Sequence, residues 1–140
     1  MILLDTSGLL AAIDADQPRH ETAAAALLAA APPRILSPFV LAELDYLIAR
    51  RVGRRAQLAL LDAVAIQTYR IEPFDAGDVE EARRVVERYA DLDVGLADAS
   101  LVVLANRYNA RDVLTLDERH FRVMRGPRGR PFRLLPADAA

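Results

Sequence analysis

The sequence predicts an α/β fold in which a parallel sheet is covered by helices on both faces. Three observations predict it. Apolar runs of three or four residues recur along the 140 residues. Stretches with helical spacing separate these runs. The runs are apolar without alternation, as in strands buried on both faces.

Ile2-Leu3-Leu4 reads as the first strand, closed by Asp5. Thr6-Ser7-Gly8 follows, and Leu9 to Ile13 begins a helix with Ser7 as its N-cap. Pro18 suits a first helical position, so a second helix runs through the alanines to Ala31, where Pro32-Pro33 stops it. Arg34-Ile35-Leu36 is the second strand. Ser37-Pro38 combines an N-cap with a proline at the first helical position and starts a helix carrying Phe39 to Arg51. Gly53 breaks it, and Ala56 to Ile66 forms the next. Tyr69-Arg70-Ile71 is the third strand, ended by Pro73. Asp75 and Asp78 resemble a capping box with Asp in place of Glu, ahead of a stripe of Val79, Ala82, Val85, Val86 and Tyr89. Gly95 precedes a helix from Leu96 to Tyr108 that is apolar nearly all round and therefore belongs at the centre. Val113-Leu114-Thr115-Leu116 is the fourth strand, ending at Asp117, and Phe132-Arg133-Leu134 a fifth, at an edge. The length suits a single domain over residues 1–140, with a loose end from Pro136 to Ala140.

Composition narrows the chemistry. With 53% apolar and 27% charged residues there is enough material for a core. The net charge of −2 means that any nucleic-acid contact must come from local basic patches. There is no Cys, which excludes disulfides, thiolate metal sites and Cys nucleophiles. The only histidines are His20, read as a solvated helix residue, and His120, read as structural or RNA-facing. All 18 basic residues are Arg, which excludes a P-loop lysine, Schiff bases and every Lys general base. Carboxylates, hydroxyls, arginines and a metal remain. Met1 runs straight into Ile2-Leu3-Leu4 without a basic leader, and Ala23–Ala31 and Leu96–Ala105 are too short to span a bilayer. A cytoplasmic protein that engages no membrane is expected.

Four carboxylates occupy telling places. Asp5 and Asp117 close the first and fourth strands, and ligands of open parallel sheets bind at those ends. Glu43 follows the second strand in the early turns of its helix, and Asp98 lies in the first turn of the apolar helix. Apolar neighbours surround both, and a buried carboxylate is costly unless it is paired or metal-bound. A structural ion pair with Arg is the competing explanation. Mg²⁺ and Mn²⁺ prefer carboxylate and water oxygens, and such an ion can activate water and stabilise charge on a phosphodiester.

The ordered blocks Met1-Ile-Leu-Leu-Asp-Thr-Ser-Gly-Leu-Leu, Ser37-Pro-Phe-Val-Leu-Ala-Glu-Leu, Gly95-Leu-Ala-Asp-Ala-Ser-Leu and Thr115-Leu-Asp-Glu-Arg-His-Phe resemble a PIN-domain ribonuclease. The nearest fit is a VapC-type toxin of a bacterial type II toxin–antitoxin pair. The resemblance covers essentially the whole chain. It implies a three-layer α/β/α sandwich with a parallel sheet of five strands. It also implies Mg²⁺- or Mn²⁺-dependent endonucleolytic RNA cleavage, leaving a 5′-phosphate and a 3′-hydroxyl. The metal-holding and catalytic roles fall on Asp5, Glu43, Asp98 and Asp117, with Thr6 and Ser7 orienting Asp5 or a water behind them. Asp93 is a candidate outer contact, while Asp45, Asp91 and Asp112 are read as surface or capping residues. The implied partners are RNA, a small cognate antitoxin and a second copy of the chain. Helices from Leu9 to Ala31 and from Phe39 to Ile66 are apolar enough to offer the groove or the dimer face.

Arg119, Arg122, Arg125 and Arg128 are the candidate RNA contacts, since Arg suits phosphate by its bidentate fork. Arg50, Arg51, Arg54 and Arg55 form a second basic group around Gly53. Two other classes with acidic pockets at strand ends fit poorly. A receiver domain requires a Lys, and haloacid-dehalogenase-type phosphatases require one too, together with an Asp where Ser7 stands. The remaining alternative is a PIN-like module that binds RNA or a partner without cutting.

Overall fold

Every strand pairs in parallel, in the order β3-β2-β1-β4-β5. The computed structural model describes residues 1–139. Its elements are β1 (Ile2–Leu4), α1 (Thr6–Ile13), α2 (His20–Ala29), β2 (Arg34–Leu36), α3 (Pro38–Arg51), α4 (Arg54–Ala65), β3 (Arg70–Ile71), α5 (Ala76–Arg88), α6 (Leu96–Tyr108), β4 (Asp112–Leu114), α7 (Glu118–Phe121) and β5 (Arg133–Leu135). Short 3₁₀ turns lie at Ala90–Leu92 and Pro127–Gly129. The architecture is the expected three-layer α/β/α sandwich.

β1 sits at the centre because Ile2, Leu3 and Leu4 have no exposed face, and β2 and β4 flank it in register. The chain first winds to one side, through β2 to β3, then crosses back to β4 and β5. The order therefore reverses between β1 and β4, and the carboxyl ends of those two strands form the crevice where such sheets bind ligands. β3 is an edge strand of two residues and carries the half-buried Arg70 and the exposed Ile71, a short and partly charged edge that discourages pairing with other chains.

Helix α6 is the central one, with an unbroken buried run from Ala99 to Ala105. Its N-terminus is tied to that of α3. The Ser37 hydroxyl caps α3 by accepting from the Phe39 N–H at 3.1 Å, and it lies 2.6 Å from the Ser100 hydroxyl. Ser100 donates to the Ala97 carbonyl at 2.6 Å, so Ser37 is the donor between the two. Both are fully buried, and their chain fixes the α3 start against the α6 start. The Asp75–Asp78 capping box forms as expected.

Several boundaries differ from the sequence expectations, each for a local reason. Helix α1 starts at Thr6 with Asp5 in the N-cap position, because the Ser7 hydroxyl is engaged across the sheet rather than on its own helix. Tyr69 precedes β3, and Thr115 and Leu116 leave β4, the first to donate its hydroxyl to Asp5 and the second its N–H to the Ser7 hydroxyl. β5 runs to Leu135 and omits Phe132, which packs edge-to-face on Phe121. His20 is half-buried instead of solvated: its Nδ1 donates to the Ala11 carbonyl at 2.8 Å and joins α2 to α1. At the carboxyl end, Asp138 accepts from the Leu134 N–H and pairs with Arg122; Ala140 lies outside the described residues. No described helix is long and apolar enough to cross a membrane.

Candidate active site

The strand-to-helix turn after β1 builds the floor of the crevice. Asp5 is buried, and its Oδ2 accepts from both the Ser7 hydroxyl (2.8 Å) and the Thr115 hydroxyl (2.7 Å). The same two hydroxyls accept backbone donors from the β4 end: Ser7 from the Leu116 N–H and Thr115 from the Asp117 N–H. Asp5 is thus gripped by two residues that also hold the segment carrying Asp117. Gly8 makes this possible. A Cβ there would lie 2.3 Å from the Leu114 carbonyl oxygen and 2.7 Å from the Thr115 nitrogen, so only glycine lets α1 sit on the end of β4.

The other acids arrive from three further elements. Asp98 is half-buried in the first turn of α6, and Asp117 is half-buried at the N-cap of α7. Their carboxylate oxygens and His120 Nδ1 lie within 4.8 Å of one another. Glu43, on α3, is exposed, which corrects the expectation of an apolar surround; its Oε1 accepts from the Thr6 hydroxyl at 2.7 Å. Thr6 therefore orients Glu43 rather than Asp5. No arginine among the described residues pairs with any of the four. The arginine ion pairs go instead to Glu72, Asp78, Glu80, Glu87, Asp112, Glu118 and Asp138.

Burial raises the proton affinity of two of these acids, and the charge of their neighbours adds to it. Burial, opposed by the Thr115 and Ser7 hydroxyls and reinforced by the Asp117 charge, leaves Asp5 above the usual carboxylate range. Asp98 is pushed up to about 6, first by burial and then by the charge of Asp5. Hard oxygen donors that repel one another and have no arginine partner are a donor set suited to a divalent metal ion.

His120 is the residue that sequence reasoning undervalued. Its Nε2 lies 2.9 Å from the Leu92 carbonyl, which can only accept, so Nε2 carries a proton. Its Nδ1 is 2.6 Å from Asp117 and 3.5 Å from Asp98. Burial pushes the imidazole down, but the Asp117 hydrogen bond, the Leu92 carbonyl and the two carboxylate charges outweigh it and raise its pKa. His120 thereby orients Asp117 and ties α7 to the turn before α6. Its spacing of three residues from Asp117, one turn of a short helix, was the available signal.

The other candidates scatter. Asp93 is exposed, adopts a left-handed backbone at the end of the 3₁₀ turn and makes no side-chain hydrogen bond. Arg122 is committed to Glu118 and Asp138, whereas Arg119, Arg125 and Arg128 are exposed without an ion pair. Asp45 accepts from Gln57, and Asp112 pairs with Arg133.

Comparison with known proteins agrees with this geometry. Residues 2–126 match the family model described as PIN domain. The chain is 43% identical over 135 residues to Ribonuclease VapC26 of Mycobacterium tuberculosis, an alignment that covers 96% of this chain and 100% of the relative. Among solved structures it is similar to Mycobacterium tuberculosis VapC20, described as a sarcin-ricin loop cleaving toxin. That match has a TM-score of 0.76 and 28% identity over 84% of this chain and 90% of the other.

Proposed function

Because the chain belongs to the PIN-domain family, in its VapC-type branch, we propose that it is a metal-dependent endoribonuclease, the toxin of a toxin–antitoxin pair. The observation that carries this is a set of carboxylates at the switch point with no arginine partner and with two members held above the ordinary carboxylate range. Asp5, Asp98 and Asp117 are the residues to hold Mg²⁺ or Mn²⁺, with Glu43 completing the set from α3. A divalent ion held there supplies Lewis acidity to a water nucleophile and to the phosphodiester. Ser7 and Thr115 hold Asp5 in one orientation, Thr6 holds Glu43, and His120 holds Asp117, so the oxygens are arranged before any ion arrives. The 43% identity to a protein named as a ribonuclease supports RNA as substrate.

The same reading gives the chain a small antitoxin, a second copy of itself as dimer partner, and a cytoplasmic location as one folded unit. Exposed apolar side chains on α2 to α4 support a protein partner there: Leu28, Tyr46, Leu58 and Ile66 are each more than half exposed.

The test is cleavage of RNA by the purified chain with Mn²⁺, with Mg²⁺ and with a chelator. Cleavage only with a divalent ion, leaving 5′-phosphate and 3′-hydroxyl ends, is expected. RNA binding without cleavage in any condition would mark a non-cutting module. A binding readout accompanies it. An ion at about 100 times its Kd stabilises the fold by about 2.7 kcal/mol, or about 8 °C in melting temperature for a domain of this size. At pH 5 Asp98 holds its proton and an ion must displace it, so the shift should shrink relative to pH 8. Equal shifts at both pH values would argue that the ion binds elsewhere.

A further inference from the structure

Outside the acidic crevice, the feature that carries an inference is a depression between α5 and α6. It holds about 170 Å³ and is rimmed by Arg84, Arg88 and Arg125 over a floor that includes Val102 and Asn106. Resting on the ribonuclease reading, we propose that this depression is a backbone-binding subsite for single-stranded RNA, in which Arg88 and Arg125 hold phosphates of the strand flanking the cleaved bond.

The first argument is placement. Asp98, Val102 and Asn106 are spaced by four residues and share one stripe of α6. The floor of the depression therefore begins about 6 Å, and ends about 12 Å, along the helix axis from the acid at the crevice. The arginines that rim the depression therefore stand within about two helical turns of the acid. The second argument is availability. Arg88 and Arg125 are exposed and neither pairs with a carboxylate, while Arg84 reaches Glu80 only at 3.6 Å. Glu81 also lines the rim, so the three cations outnumber the anions by two. The third is preorganisation. The Tyr89 hydroxyl accepts from the Arg125 N–H at 3.0 Å, and Arg125 bridges to Pro131, so its backbone is held from both sides. The cleft is too small for a protein helix, about 10 Å across with its side chains, but admits a phosphate and its ribose.

Two arginines on two phosphates of a single strand contribute about 1.4 to the log–log salt slope of binding. The experiment is anisotropy of a labelled single-stranded RNA of 20 nucleotides, in chelator, at several salt concentrations. It compares the wild-type chain with Arg88→Ala/Arg125→Ala and with a charge-matched Arg51→Ala/Arg54→Ala control. The first double variant is expected to bind about tenfold more weakly and with the shallower slope, at an unchanged melting temperature. In turnover with a divalent ion it should lose about tenfold in kcat/KM through KM, with kcat retained. An unchanged affinity and slope, or an equal loss in the control, overturns the subsite; an unchanged slope is also the outcome expected if this face binds protein. A wild-type chain that binds RNA with the arginine-dependent slope but cuts nothing sustains the subsite and sinks the nuclease reading.

Discussion

Asp98→Asn is expected to abolish cleavage while making the ion-free protein more stable at pH 8. Asp98 shares the crevice with Asp5, Asp117 and His120, and burial with the Asp5 charge pushes it up to about 6 from 3.8. Two units correspond to about 3 kcal/mol. The sign follows from linkage. The folded state binds this proton more tightly than the unfolded chain, so stability falls as pH rises from about 4 to about 6 and stays reduced above that. Asparagine has no charge to bury or to repel Asp5, but it gives up the His120 contact, which leaves a gain of about 2 kcal/mol. That is about 6 °C in melting temperature at pH 8, with no gain at pH 4, where the carboxyl is already neutral. Cleavage should drop by at least about 10³-fold, since a charge proposed to hold the ion is gone, and the ion-induced melting shift should vanish with it. Melting curves in chelator at pH 4 and pH 8, beside a cleavage assay, check all three. An undiminished rate would remove Asp98 from the ligand set, and a lowered melting temperature at pH 8 would show that the carboxylates are not in conflict.

That conflict between stability and function also shows which parts of the molecule the sequence announces. Buried strands declare themselves by composition, since Ile2-Leu3-Leu4 and Arg34-Ile35-Leu36 have a single reading and fold as read. Helix α6 does so by having no polar face over Ala99 to Ala105. The acids stand out because carboxylates among apolar residues need a reason. What the sequence leaves hidden depends on three-dimensional closure. The hydroxyl of Ser7 looks like a helix cap in one dimension, yet in the fold it meets the β4 end, where the Leu116 N–H donates to it. Thr115 reads as a strand residue, and only the neighbouring β1 shows that it grips Asp5. Glu43 is surrounded by apolar residues along the chain, but Val40, Leu44 and Ile48 form the buried face of α3 and Glu43 lies outside it. His120 reads as structural or RNA-facing, and only the fold shows that its two ring nitrogens bind Asp117 and the Leu92 carbonyl, the latter 28 residues away. Arginine pairing is equally invisible before folding: Arg122 is neutralised by Asp138 from the chain end, and Arg88, unremarked in sequence, is left unpaired.

Gly8→Ala is expected to cost about 2 kcal/mol and to damage catalysis beyond the loss of folded protein. Ordinarily alanine in a helix gains about 1 kcal/mol over glycine. Here the added Cβ would stand 2.3 Å from the Leu114 carbonyl oxygen, 2.5 Å from its carbon and 2.7 Å from the Thr115 nitrogen, all backbone atoms. No side chain can swing away, and the β4 backbone is fixed by pairing to β1 and to β5. Relief therefore requires moving α1 off the sheet, at a cost that overpacking places at about 1–3 kcal/mol or more and that the helix gain offsets only in part. A displacement there reaches the chemistry directly, because the colliding nitrogen belongs to Thr115, whose hydroxyl holds Asp5, and because Ser7 moves with Gly8. A shift of about 1 Å at such a group is worth about 10² in rate. Thermal melts and cleavage rates, taken at a temperature where the variant is still folded, test this against Gly95→Ala, whose Cβ would meet nothing within 4 Å and whose φ of −90° any residue adopts. Equal stability of the two variants would mean that α1 has room to retreat, and that the grip on Asp5 does not depend on the contact between helix and strand end.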